Sequence, residues 1–338
     1  MEFTNFQFQS KKNSSYIKKN NEGAKIFKEL LDFLSIKGIV NPLQAIEVIT
    51  KLLCVREIFE SGILRIFKQH PEANVFEKYI ELDWDSFKKN NAHNISHILK
   101  NELFSLIIFL ADQGSEFALL GAKSRFDLEL SNIPNDFMVR VLDLIDFAIE
   151  KNDYTTGELF DDLIQSVSIY GNYGEFVTPN HISSLMVEMM APNANDIILD
   201  PFCGTGTILM QAFKYIYKND QKFLSKEKNK QNFIKNTFYG NDFNSTTSDL
   251  GKISFFLHGL QTNIDNKDTL SDEFVELNQD KYSLIITNPP FFLGSSRPCN
   301  SILQKELNTN KSELLALTAC LKMLKEGGRA AIIVPQGI

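Results

Sequence analysis

The chain has 338 residues, 43% of them hydrophobic and 23% charged, the balance of an ordinary globular protein and long enough for two domains with their own cores. Its net charge of −7 argues against a general polyanion-binding protein, so any nucleic-acid contact has to be local or shared with a basic partner. The scattered Cys54, Cys203, Cys299 and Cys320 form no Cys-x-x-Cys pair, which fits thiols in a reducing cytoplasm better than a disulfide scaffold or a zinc site.

Residues 1–21 are polar, rich in Asn, Lys and Ser, and read as an arm; Lys11, Lys12, Lys18 and Lys19 precede no apolar core, so no signal peptide is expected. From 22 to 170 the pattern is helical. Ile26, Phe27, Leu30, Leu31 and Leu34 fall at three-and-four spacing, and Asn41-Pro42 supplies a cap and a first-turn proline for a helix burying Leu43, Ile46, Ile49, Leu53 and Ile58. Ile95 to Leu110, Phe137 to Ile149 and Leu159 to Ile169 continue it. The longest apolar run, Leu103 to Ala111, is far too short to span a bilayer, and no membrane association is expected. His93 and His97 have helical i, i+4 spacing but lack the Glu of a metalloprotease helix, and no metal is expected.

A glycine-punctuated junction from Tyr170 to Pro179 marks a domain boundary, and Thr178-Pro179 opens a helix running to Met190. Strands and helices then alternate: strand 196–202, helix 206–217, strand 237–243, helix 245–258, a short strand near 263–266, strand 282–287, helix 312–325 and strand 329–334. This alternation predicts an α/β, doubly wound, mainly parallel sheet in 171–338. The lysine-rich stretch from Lys214 to Lys235 reads as an irregular, solvated insertion.

Two strand ends carry the chemistry. Ile197-Ile198-Leu199-Asp200-Pro201-Phe202-Cys203-Gly204-Thr205-Gly206-Thr207 is an apolar run that ends on a carboxylate and breaks into glycines before a helix, a turn whose backbone can approach a ligand. Eighty-eight residues beyond Asp200, the strand Tyr282 to Thr287 ends in Asn288-Pro289-Pro290-Phe291, a stiff corner at the edge where open α/β sheets bind ligands. Between them, Asp242 ends the second strand where a ribose acceptor belongs, and Asp268 follows the third as an acceptor for an adenine amine or as a turn cap. Asn241 and Asn244 read as caps of the turn and of the next helix. The Asn288 side-chain oxygen and the Pro289 carbonyl offer hydrogen-bond acceptors at that corner, and Phe291 offers a flat apolar face.

These stretches together resemble the modification subunit of type I restriction-modification systems, a family of S-adenosylmethionine-dependent DNA adenine-N6 methyltransferases. The matching pieces are Gly174-Glu175-Phe176-Val177-Thr178-Pro179, Asp200 to Gly206, Phe238 to Asn244, Leu257-His258-Gly259, Lys267 to Leu270, Asn288 to Phe291 and Leu324 to Ala331, in the family's order. The resemblance implies a Rossmann-like methyltransferase domain behind an all-helical one. It implies Glu175, Phe176, Thr178 and Pro179 at the methionine end of S-adenosylmethionine, and Asp200, Gly204, Thr205 and Gly206 in its binding turn. Asp242 is then expected at the ribose, Asp268 at the adenine, and Asn288, Pro289, Pro290 and Phe291 at the target base. The implied partners are DNA, a specificity subunit, a restriction subunit and a second methyltransferase subunit, in the cytoplasm. The family's sheet continues through two more strands and a helical tail, so the chain is expected to be C-terminally truncated, with its last strand a weakly blunted edge. The stretch from Phe291 to Ser312 is expected to be a mobile loop with room for no recognition domain. Two alternatives stay open: methylation of RNA or of a protein glutamine, since the turn and the Asn-Pro-Pro-aromatic corner serve those too, and a non-catalytic cofactor-binding or assembly role.

Overall fold

The structure, a computed structural model, describes residues 16–36, 38, 42–62, 77–103, 133–170, 177–261, 263–290 and 302–336. The chain divides into two compact units, 1–171 with 256–259, and 172–255 with 260–338.

The first unit is helical: α1 (Tyr16–Ser35), α2 (Pro42–Glu60), α3 (Trp84–Asn91), α4 (Asn135–Asn152) and α5 (Thr156–Tyr170), with short helical turns at Glu77–Ile80 and from Ala92 to Leu103. Leu30 and Leu34 of α1, Ile49, Leu52 and Leu53 of α2, and Leu159 and Phe160 of α5 are fully buried. α1 reaches back to Tyr16, so the polar arm does not extend to residue 21. Once its C-terminal half is packed, each further residue adds a hydrogen bond at little cost, and polar residues follow. The expected helix from Ile95 is also less regular, passing from 3₁₀ through a single α turn to a π turn at Leu99–Leu103. Asp146 is buried because it is saturated with donors: Arg56 Nε and Trp84 Nε1, each at 2.9 Å, and Lys88 Nζ.

The second unit is a five-stranded, all-parallel sheet in the order β3-β2-β1-β4-β5, with β1 Ile198–Asp200, β2 Phe238–Asn241, β3 Ile264–Asp265, β4 Tyr282–Thr287 and β5 Leu324–Ile332. Around it lie α6 (Asn180–Met190), α7 (Thr207–Asn219), α8 (Glu227–Asn236), α9 (Ser245–Leu257), α10 (Asp272–Asn278), α11 (Ile302–Leu307) and α12 (Ser312–Met323). One core gathers Leu199 and Ile285 of neighbouring strands with Phe274 and Val275 of α10 and Leu315, Ala319 and Met323 of α12. Every residue of β1 and β4 is buried, as strands covered on both faces require.

Four expectations are corrected here. The lysine-rich stretch is helical, not irregular. Phe233 of α8 stacks on Phe213 of α7 at 5.7 Å and meets Phe238 of β2 edge-on at 5.2 Å, so two aromatic anchors fold a segment whose Lys218, Lys222, Lys226 and Lys228 stay exposed. The stretch between Phe291 and Ser312 is not all loop, because α11 occupies Ile302–Leu307, with Leu303 buried. The helix expected over 312–325 ends at Met323, and the last strand starts at Leu324. A register shift places Leu324 opposite Tyr282 and Arg329 opposite Leu284, so Lys325 to Gly328 form a bulge, with Gly327 at φ 74°. Finally, β5 is the outermost strand among the described residues, but it presents Lys325 and Glu326 to solvent, charges that blunt an edge against pairing.

Arg329 fastens β5 to the rest of the sheet. Its guanidinium donates to both oxygens of Asp196 at 3.0 and 2.8 Å, and its Nε donates to the Met190 carbonyl at 3.1 Å. Asp196 also accepts from Ser283 Oγ on β4 at 2.7 Å. Burial raises the Asp196 pKa, but the Arg329, Asn193 and Ser283 hydrogen bonds outweigh it and hold the carboxyl below its usual value. A lowered folded pKa contributes stability above the unfolded value near 4, and that contribution fades as the pH falls below it. Arg329→Ala is therefore expected to lower stability by about 2 kcal/mol at neutral pH, toward the low end for a buried pair because the arginine is partly exposed. Denaturant titrations of both proteins check this, with the difference shrinking in acid.

Candidate active site at the carboxyl edge of the sheet

The strand order reverses between β1 and β4, the two strands that end on the sequence-predicted turn and corner. Open α/β sheets leave a crevice at such a switch point. After Asp200 the chain turns through Gly204 at φ 53° and Gly206 at φ 82°, conformations that favour glycine, and enters α7 at Thr207. The turn is held from two sides: Cys203 N donates to the Asn241 carbonyl at 2.9 Å, and Gly204 N donates to Asp242 Oδ2 at 2.9 Å.

Asp242 thus binds the turn itself. Its Oδ1 also accepts from Asn244 N and Thr247 Oγ1, both at 2.8 Å. Asn244 caps α9, accepting from Thr246 N at 2.9 Å. Asn241 is a cross-brace instead of a cap. Fully buried, it donates to Thr269 Oγ1 at 2.7 Å and to the Lys267 carbonyl at 3.0 Å, and accepts from Lys267 N at 3.0 Å. Thr269 in turn donates to the Pro201 carbonyl at 2.5 Å. This network fixes the loop bearing Asp268, whose Oδ1 accepts from Leu270 N at 3.1 Å.

Asp200 is 1% exposed; its Oδ1 accepts from Thr287 Oγ1 at 2.6 Å and Phe202 N at 3.2 Å, while its Oδ2 has no partner among the described residues. Burial pushes its pKa up to about 7, against the Thr287 and Phe202 hydrogen bonds, and the Asp242 charge adds to the rise. At the end of β4, Asn288 Nδ2 donates to Thr178 Oγ1 at 3.4 Å, while Asn288 Oδ1 is buried without a partner among the described residues. Pro289 is buried and Pro290 exposed, and Pro179 is the exposed residue before α6. Glu175, Phe176 and Phe291 lie outside the described residues.

Sequence reasoning missed two residues here. Phe243, directly after Asp242, is a 64% exposed aromatic side chain at the same sheet edge. Gly251 lies inside α9, where a Cβ would stand 3.2 Å from the Gly204 carbonyl oxygen, so a glycine lets the helix reach the turn. The available signal was a glycine within a helical pattern. Gly251→Val is expected to displace the turn and weaken ligand binding at least about tenfold while the protein stays folded; calorimetry with circular dichroism checks both.

The strand order, the glycine turn after β1 and the proline corner after β4 define the class of Rossmann-like α/β proteins that bind a ligand at the switch point. The family model described as N-6 DNA Methylase matches residues 152–338, more than half the chain, and the chain belongs to that family. Among curated relatives, it is 28% identical over 202 residues to the type I restriction enzyme EcoEI methylase subunit of Escherichia coli, covering 59% of this chain and 40% of that protein. It is 29% identical over 187 residues to the type II restriction enzyme and methyltransferase RM.BcgI of Heyndrickxia coagulans, covering 50% and 27%. The matched region thus spans two-fifths or less of these relatives' length. In fold, the chain resembles a modification subunit of a putative type I restriction enzyme from Vibrio vulnificus YJ016, with a TM-score of 0.68 at 20% identity over 94% of this chain and 72% of that one. A methyltransferase subunit of a type I restriction-modification system from Streptococcus thermophilus gives 0.57 at 17% identity, over 94% and 75%. No helix among the described residues is long and apolar enough to cross a membrane.

Proposed function

We propose that this chain transfers the methyl group of S-adenosylmethionine to the N6 amine of a flipped adenine in DNA, as the methyltransferase subunit of a type I restriction-modification system. The observation that carries this reading is the Asn288 side-chain oxygen, buried without a donor among the described residues, beside two prolines at the switch point. A desolvated acceptor costs free energy unless a ligand supplies a donor, and an exocyclic amine is such a donor.

The residues fit the cofactor. Asp200 Oδ2 is a second buried acceptor without a donor among the described residues, and Gly251 keeps the turn free of a side chain. Asp200, Gly204, Thr205 and Gly206 would hold the methionine side with Thr178 and Pro179, where Glu175 and Phe176 are also assigned. Asp242 would accept from the ribose through lone pairs the turn leaves free, and Asp268 would accept from the adenine. When bound, S-adenosylmethionine supplies a methyl group already activated by its sulfonium charge.

This chain's own work is then positioning. An adenine amine is a weak nucleophile because its lone pair is delocalised into the ring. Accepting its hydrogens at Asn288 Oδ1 and the Pro289 carbonyl turns that lone pair out of the ring plane and aims it at the methyl group. The target must leave the stack to reach this corner, and Phe291 would receive its face. No strong base or metal is required, since the amine loses its proton readily once methylated. Site recognition and cleavage would fall to specificity and restriction subunits, with a second methyltransferase subunit, in the cytoplasm; the acidic balance of the chain agrees with DNA contacts being shared.

A radiolabelled methyl-transfer assay on DNA, RNA and protein, with the specificity subunit present, tests the reading. N6-methyladenine in DNA is the expected product. Label in RNA or glutamine, or none despite cofactor binding, overturns it. Binding of a specific DNA sequence by the purified chain alone would overturn the assignment of recognition to a separate subunit.

A further inference from the structure

The neighbouring ends of β1 and β4 hold two buried acceptors without donors among the described residues, Asp200 Oδ2 and Asn288 Oδ1, and the residue between them is Thr287. Thr287 has no exposed surface, and its hydroxyl donates at 2.6 Å to Asp200 Oδ1, 87 residues away. It is followed directly by Asn288, so one residue touches the glycine turn through its side chain and the proline corner through its main chain. The packing of β4 does not require a hydroxyl here, since valine has the same shape and is at home in a buried strand.

We propose that Thr287 is a positioning residue: its hydroxyl orients the Asp200 carboxylate so that the unpartnered Oδ2 faces the ligand held at the turn, and locks that carboxylate to the strand end that carries Asn288. The assignment rests on the reading above that the turn holds S-adenosylmethionine. With Oδ1 taken by Thr287 and Phe202, Oδ2 is the oxygen of Asp200 that the described residues leave to a donor on the ligand. S-adenosylmethionine carries cationic groups, which an ionised carboxylate attracts and a protonated one does not.

The same hydrogen bond bears on the ionisation of Asp200. Burial and the negative charge of Asp242 at the end of β2 both oppose it; Thr287 and Phe202 N favour it. The other titratable groups facing Asp200 are thiols held neutral by burial, Cys203 in the turn, raised well above its usual value, and Cys320 on α12, pushed up to about 12. Removal of the Thr287 hydroxyl takes away the strongest support for the anion, so the carboxyl would hold its proton to higher pH.

The test compares wild type, Thr287→Val and Thr287→Ser in the full chain. The Asp200 carboxyl is titrated without cofactor by carbon-13 NMR of labelled aspartate, with Asp200→Asn identifying its resonance. The expected midpoint is higher by about one pH unit in the valine variant and close to wild type in the serine variant, which keeps the hydroxyl. A purely structural role would alter the melting temperature without moving this midpoint. Equal midpoints in all three proteins, or an equal shift in both variants, would overturn the proposal. In a second arm, S-adenosylmethionine binding by calorimetry is expected to be at least about fivefold weaker for Thr287→Val near pH 6 and to converge with wild type near pH 9. If the midpoints move as expected but wild type binds no S-adenosylmethionine, the cofactor reading falls, while the hold of Thr287 on Asp200 stands on the titration.

Discussion

Asn288→Ala is expected to reduce methyl transfer about a hundred- to a thousandfold while leaving S-adenosylmethionine affinity within about twofold of wild type. The side-chain oxygen is placed at the end of a fully buried strand, and the following prolines forbid the backbone from relaxing into another strand or helix position. Alanine removes the acceptor without touching the glycine turn, so the loss should fall on the chemical step. A buried acceptor without a donor among the described residues is a cost to the folded protein, and Asn288→Ala is accordingly expected to be neutral or slightly stabilising in thermal melts. Asn288→Asp keeps an acceptor oxygen at the same position and should retain part of the activity. Single-turnover kinetics with the specificity subunit, set beside calorimetry, separates these effects. Unchanged turnover in the alanine variant would remove Asn288 from the catalytic role.

Asp242→Ala is expected to lose about 3 kcal/mol of S-adenosylmethionine affinity, roughly two hundredfold, and to lower the melting temperature of the cofactor-free protein. A carboxylate serving only the ribose would produce the first effect without the second. Here the same two oxygens hold Gly204 N, Asn244 N and Thr247 Oγ1, so alanine frees the turn and the start of α9 together. Asp242→Asn is no substitute, because an amide N–H set against the Gly204 or Asn244 N–H puts donor against donor. Calorimetry and thermal melts of the three proteins decide the matter. Wild-type affinity in the alanine variant would sink the ribose assignment, and an unchanged melting temperature would mean the turn keeps its shape without the carboxylate.

The amino-acid sequence by itself determined the elements whose causes are local. Gly204 and Gly206 allow the positive φ angles of the turn, Asn244 caps its own helix, and Pro289-Pro290 ends a strand whose six apolar or small residues can only be buried. The family resemblance likewise rests on such local stretches. Other features depended on which distant residues the fold brings together. The order β3-β2-β1-β4-β5 makes β1 and β4 neighbours, and only then can Thr287 reach Asp200 and can two orphaned acceptors lie at adjacent strand ends. Asn241 reads as a turn residue by type, but the third strand delivers Lys267 and Thr269 to it, and a buried amide takes the partners that satisfy it. The lysines of 214–235 suggested solvation, and four of them, Lys218, Lys222, Lys226 and Lys228, are exposed, but Phe233 decided the structure because its burial against Phe213 and Phe238 outweighs a weak local preference. Local rules fix backbone angles and caps within a few residues; hydrogen-bond partners and packing neighbours are set by the topology, over separations no local pattern encodes.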